Sequence, residues 1–175
     1  MAPVTALVSV SDNQYWIHGD TFDVGDWGYT GFNGLVAPLA LPGVPREPGE
    51  FAVVMTGTGT GLVRLTLDVA DRDPGPPDLD AWDEVVEVSL DVPGGVPGVS
   101  TGVEDDESHL LPDLPTGAGP LRLRVHARGR DRGQEELVVD GEPVEEHLIQ
   151  VWPAPAAPTA VRKTGDAYGA GFRTP

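Results

Sequence analysis

The sequence predicts an all-β domain, an antiparallel two-sheet β-sandwich of about seven to nine strands with at most one short helical turn near 78–85. Three observations predict it. Apolar and polar residues alternate with period two in several stretches, the pattern of a strand with one buried face. Pro, Gly, Asn and Asp gather between those stretches, where a sheet protein makes its turns. No window carries the 3.6-residue periodicity of a long amphipathic helix.

In the opening strand Val4, Ala6, Val8 and Val10 point one way. Phe51–Thr56 is a second apolar run. In Leu62–Val69 the set Val63, Leu65, Leu67 and Val69 turns inward, with Arg64, Thr66 and Asp68 outward. Glu84–Val92 repeats the scheme, with Val86, Val88, Leu90 and Val92 inside and Glu87, Ser89 and Asp91 outside. Leu121–Arg128 alternates most cleanly, its Leu121, Leu123, Val125 and Ala127 opposing Arg122, Arg124, His126 and Arg128. Glu136–Asp140 reads as a short strand and Glu145–Trp152 as a longer one covered on both faces, with Asp140-Gly141 a tight-hairpin signal between them. Asp78 or Asp80 can cap the one helical turn, seating Trp82 before the chain becomes a strand. The Thr-Gly alternation from Thr56 to Gly61 is read as a loop, because no helix follows it to cradle a phosphate. Residues 1–152 form the sandwich domain, and 153–175 form a Pro/Ala-rich tail expected to be poorly ordered or draped over it.

At 175 residues the chain holds one core. Its formal charge of −17 argues against nucleic acid, where phosphate contacts dominate affinity, and against anionic lipid. Thirteen of the 28 acidic residues fall between Asp68 and Glu107, beside a single cation, Arg72. Such a stretch attracts a basic protein face or divalent cations. Five arginines cluster in Arg122–Arg132 as a local basic strip. Arg outnumbers Lys ten to one, a bias of high-GC coding as in actinobacteria. The absence of cysteine excludes disulfides, thiolate metal sites and a Cys nucleophile. No basic residue precedes the first apolar stretch and no window is long enough to span a membrane, so a cytoplasmic setting is expected.

The chain shows no motif that carries catalysis. Asp71, Asp73, Asp78, Asp80 and Asp83 crowd one loop as calcium ligands do, yet their spacing fits no established calcium loop and three prolines stiffen its middle; they read as solvated carboxylates. His18, His109, His126 and His147 are scattered without zinc spacing; His126 is expected on the surface beside Arg122 and Arg124, and His147 as a satisfied core histidine. Gly98–Gly102 matches a serine nucleophile turn in letters only. No cofactor is called for. Tyr15, Trp16, Trp27, Tyr29 and Phe32 lie within 18 residues, interleaved with Asp20, Asp23 and Asp26. These rings plug one end of the sandwich, anchor a protein partner, or stack sugars; Trp and Tyr are favoured interface anchors.

Taken in order, Gln14–Ile17, the aspartate-rich loop to Trp27 and Gly31-Phe32, the Phe51–Thr56 strand, Val63–Val69, Leu79–Leu90 around Trp82 and Leu121–Ala127 resemble a small bacterial family, the competence-protein-J type inhibitors of DNA-entry nucleases, together with actinobacterial proteins of the same layout. The resemblance spans roughly residues 4–152. It implies a non-catalytic inhibitor or immunity-type protein that contacts a basic, nuclease- or toxin-like partner. The residues assigned to that contact are Trp16, Asp20, Asp23, Asp26, Trp27, Asp78, Asp80 and Asp83. A structural subunit of a larger assembly, or a carbohydrate- or calcium-binding module, is the alternative.

Overall fold

A computed structural model describes residues 1–19, 32–40, 44–92, 98–103, 107–115 and 119–173. In chain order the strands are β1 (Val4–Val10), β2 (Gln14–His18), β3 (Val36–Ala40), β4 (Val44–Pro45), β5 (Phe51–Met55), β6 (Thr60–Val69), β7 (Glu84–Leu90), β8 (Gly98–Ser100), β9 (Leu121–Arg128), β10 (Val138–Val139), β11 (Glu146–Pro153) and β12 (Ala160–Lys163). Two short helices, α1 (Arg130–Glu136) and α2 (Ala167–Ala170), and a 3-10 turn at Glu107–Leu110 complete the described elements. The strands form two sheets. One runs β1-β6-β11-β9-β7-β12 with β10 alongside β6; the other runs β4-β3-β5-β2-β8.

The expected alternation is present in β1 and β6, where Ala6, Val8, Val10, Val63, Leu65 and Leu67 are buried and the residues between them are not. These join Val86, Val88, Leu90, Leu121, Leu123, Val125, Ile149 and Val151 of the first sheet in one cluster with Tyr15, Ile17, Val36, Ala52 and Val54 of the second. Each side chain fully buried there contributes about 1.5–3 kcal/mol of transfer free energy. Strands β3 and β5 are buried along their whole length. Their second face carries Ala37, Leu39, Phe51, Val53 and Met55, covered by Phe32 and the partly buried Trp16, Tyr168 and Phe172. Unbroken apolar runs are the signature of strands covered on both sides.

Several expectations are corrected. The sheets are not purely antiparallel: β11 and β10 both run parallel to β6. Parallel neighbours need a long crossover, and the chain between β6 and β11 supplies one. The described residues hold twelve strands where seven to nine are expected, because pieces as short as β4, β8 and β10 are too brief to show alternation. At 78–85 the expectation of at most one short turn holds: the chain turns at Leu79-Asp80, and Asp78 accepts from the Asp80 backbone N–H at 3.1 Å as a capping residue does. The described helices lie instead at α1 and α2, whose seven and four residues are too few to display a period, and only Val138–Val139 of the expected Glu136–Asp140 strand forms.

The Thr-Gly alternation is explained by close packing. A Cβ on Gly57 would lie 1.9 Å from the Arg130 carbonyl oxygen, and one on Gly61 (φ 129°) 2.1 Å from that of Val139. The loop is pressed between α1 and β10, where only hydrogen atoms fit.

The segment after Trp152 lies against the first sheet. There β12 pairs antiparallel with β7, and Asp166 caps α2 by accepting from Gly169 N–H at 2.7 Å. Phe32 forms an isolated bridge with Arg173.

Candidate functional site

The polar face of β7 and β9 is not a surface. Glu87, Ser89, Arg122, Arg124 and His126 are all buried, which corrects the expectation that Arg122, Arg124 and His126 face solvent. Two segments cover them, residues 70–83 from one side and 153–173 from the other. Arg122 donates to the carbonyls of Ala157 (2.9 Å) and Pro158 (2.9 Å) and to Ser89 Oγ (3.0 Å). Glu87 receives Arg124 at 2.8 Å and Arg162 at 3.2 Å, and Arg122 approaches to 3.6 Å. Burial pushes the Glu87 carboxyl up, but the Arg162 and Arg124 hydrogen bonds outweigh it and hold the group below its ordinary value. Burial lowers His126, which bonds the Leu148 carbonyl through Nδ1 at 3.0 Å. Arg122 and Arg124 of the basic strip are thus structural mortar, while Arg128 and Arg132 stay exposed.

A second node joins both sheets to the C-terminal segment. Arg130 is fully buried and grips Asp166 through two bonds, Nε to Oδ2 at 2.7 Å and Nη2 to Oδ1 at 2.8 Å. Its remaining nitrogen donates to Gly34 O (2.8 Å) and Met55 O (3.2 Å), and the guanidinium lies 5.2 Å from the centre of the Tyr168 ring. Glu84 accepts from Arg173 and from the N–H groups of Gly165 (2.9 Å) and Asp166 (3.2 Å). Burial raises its carboxyl despite these donors.

Residues 70–83 form the exposed acidic loop. Arg124 takes the Gly75 carbonyl at 2.7 Å, Arg128 that of Ala81 at 3.3 Å, and Lys163 that of Leu79. Trp82 packs under the loop, 4.9 Å from the Arg128 guanidinium and 5.4 Å from the His126 ring. The cations turn the loop's carbonyls inward and leave Asp71, Asp73, Asp78, Asp80 and Asp83 exposed. Asp83 spends one oxygen on the Gly129 N–H at 3.0 Å, and Asp73 one on Gly75 N–H at 2.9 Å. A backbone held by three cations therefore carries exposed carboxylates, of which Asp73 also lies 3.6 Å from Arg124.

Of the contact residues expected from sequence, Asp78, Asp80 and Asp83 come together on this loop. Trp16 sits half-buried in the second sheet, with its ring so close to Gly102 that a Cβ there would come within 2.8 Å. Asp20, Asp23, Asp26 and Trp27 lie outside the described residues. No group of three or more potential metal ligands forms among the described residues. No helix among them is long and apolar enough to cross a membrane.

His147 is the satisfied core histidine expected from sequence, but its partners, and one groove, escaped the sequence. Tyr15, His147 and Glu145 form a buried relay, with the tyrosine hydroxyl 2.8 Å from His147 Nδ1 and His147 Nε2 2.7 Å from Glu145. Glu145 also accepts from the N–H groups of Gly57 (3.1 Å) and Thr58 (2.7 Å). Burial raises its carboxyl, but the His147 and Thr58 bonds prevail and lower it; burial raises the Tyr15 hydroxyl strongly. All three side chains lie in the core, so the triad satisfies buried polar groups. The other feature is a groove of 620 Å³ between β4 and β12, lined in part by Phe32, Pro38, Arg46, Thr159, Val161 and Arg173.

No family model matches the chain, and no curated protein matches it in sequence. Two solved structures share its fold. The structure of ComJ from Bacillus subtilis, described as an inhibitor of the DNA-degrading activity of NucA, superposes with a TM-score of 0.52 at 15% identity, over 88% of this chain and 96% of that one. Crocagin biosynthetic gene J superposes with a TM-score of 0.50 at 12% identity, over 89% of this chain and 100% of that one. The fold of this chain is ComJ-like.

Proposed function

We propose that this chain is a non-catalytic, inhibitor- or immunity-type binding protein, a two-sheet sandwich that presents its acidic surface to a basic, nuclease- or toxin-like protein in the cytoplasm. One observation carries the reading: Arg124, Arg128 and Lys163 hold the backbone of residues 70–83 from below, leaving its aspartates exposed. A pinned acidic loop loses little conformational freedom on association and steers a cationic partner through its field. Asp78, Asp80 and Asp83 are its contact residues, with Trp16, Asp20, Asp23, Asp26 and Trp27 as the sequence-based second set. The fold shared with a nuclease inhibitor supports this role. The same charge disfavours nucleic acid itself as the ligand.

The test is affinity capture from the source cell at low salt. A protein rich in Lys and Arg should be recovered, and its retention should fall steeply at about 1 M salt, where the screening length is only about 3 Å. Capture of neutral or acidic proteins alone would overturn the reading. The shared fold with a biosynthesis protein favours a second reading, an accessory subunit of an enzyme assembly, which predicts a stoichiometric complex that survives the salt wash.

A further inference from the structure

The end of α1 breaks three local rules at once. Leu137, a bulky residue, holds φ 59° and ψ −49°, where glycine would be unstrained. It is fixed there by its N–H to Gly133 O (2.9 Å) and by its carbonyl, which accepts from Gly59 and Thr60 at 2.9 Å each. Leu137 and Val138 are both exposed, by 50% and 57%, while Val139 turns into the core. Glu135 and Glu136 occupy the last helical turn, where the helix dipole favours cations. Sequences depart from local preference in this way where function requires it.

The surroundings say what would cover the two aliphatic side chains. Glu135, Glu136, Asp140 and Glu142 are exposed around them. Arg132 pairs with Glu136 at 3.1 Å and Arg64 with Glu142 at 3.4 Å, whereas Glu135 and Asp140 have no ion pair among the described residues. The β1–β2 turn, with exposed Asp12, is tied to α1 where Asn13 Nδ2 donates to Gln134 Oε1 at 3.4 Å. Val44 and Val161 beside the groove are also exposed, but the cations there are already paired, Arg46 with Glu50 and Arg162 with Glu87.

We propose that Leu137 and Val138 form an apolar knob with an acidic rim, which seats in an apolar pocket bordered by cations on a basic protein. This inference rests on the binding role proposed above and names a surface for it. An apolar centre within a polar rim is the anatomy of a protein–protein interface.

The experiment places p-benzoylphenylalanine at position 138 of the full chain, with matched chains carrying it at 44 and 78, and irradiates each in extract of the source cell. Adducts are identified by mass spectrometry, and the captured protein is purified as the probe for calorimetry. A Lys- and Arg-rich protein should be captured from position 138 and not from 44. Leu137→Gly, which relieves the positive φ, should then weaken binding by about tenfold or more while the melting temperature holds or rises. A basic adduct from position 78 alone removes this surface and leaves the broader role standing. An adduct with a second copy of this chain from position 138, or binding by Leu137→Gly within about twofold of the parent, also overturns the inference. No basic adduct from either position overturns both.

Discussion

Replacing Asp166 by Ala should be the most damaging single change to the clamp that holds the C-terminal segment. Asp166 and Arg130 are both buried and share two short bonds, 2.7 and 2.8 Å. Removing one partner of such a pair leaves an uncompensated guanidinium and costs about 3–5 kcal/mol. The same carboxylate caps α2 through Gly169 N–H, worth about 1 kcal/mol more. The expected loss of about 4–6 kcal/mol is a large part of a total of about 5–15 kcal/mol. In thermal terms it is about 10–20 °C for a chain of this length. Urea unfolding followed by tryptophan fluorescence measures the loss directly. Limited proteolysis should show residues 153–173 cut earlier than in the parent protein. Asp166→Asn keeps an acceptor for Gly169 N–H and so spares the cap, but it leaves the guanidinium uncompensated and should still lose most of the pair's share, about 3–5 kcal/mol. A loss below about 1 kcal/mol for Asp166→Ala would refute the argument that this pair clamps the segment.

Other expectations follow from the same network. Tyr15→Phe leaves His147 Nδ1 without its 2.8 Å partner and should destabilise by about 1–3 kcal/mol in urea unfolding. Glu87 and Glu145 are both held below their ordinary value of 4.5, so their stabilisation is complete above that pH and is lost as pH falls through their lowered values. Glu84 has the opposite sign: its carboxyl is raised, so its protonation favours the folded state as pH falls. Glu87→Gln should therefore cost more than Glu84→Gln at pH 7, and the gap should close toward pH 3 in parallel urea titrations. Arg124→Met should loosen the acidic loop without removing a carboxylate, read as faster amide exchange at residues 71–80 and unchanged exchange in β1.

Much of the framework was legible in the sequence. The period-two runs of β1 and β6 mark strands with one buried face, and they bury the residues they name except Val4 and Val69 at the strand ends, which are partly buried. Trp82 was expected to seat just ahead of β7, and it packs there on Arg128. The alternation of β9 was equally clear, but of its polar half only Arg128 faces solvent, while Arg122, Arg124 and His126 are covered. Alternation identifies a strand's two faces and is silent about what later covers the polar one. Arg122, Arg124 and Glu87 are covered by segments about 30 to 75 residues away in sequence, a pairing no local pattern encodes. The Tyr15–His147 bond joins residues 132 apart and was invisible for the same reason. The acidic loop could be read directly, because a run of aspartates among prolines has few places to go but the surface.

The position of β11 has a consequence for how the molecule is made. It lies inside the first sheet between β6 and β9, yet it ends at residue 153 of 175. During synthesis β6 must wait, its inner edge unpaired, until the chain has been extended from Val69 through Glu146 and on to Pro153. Such late, long-range closure makes for slow folding and leaves a sticky edge exposed meanwhile. The strong negative charge of the nascent chain would keep copies apart through that interval.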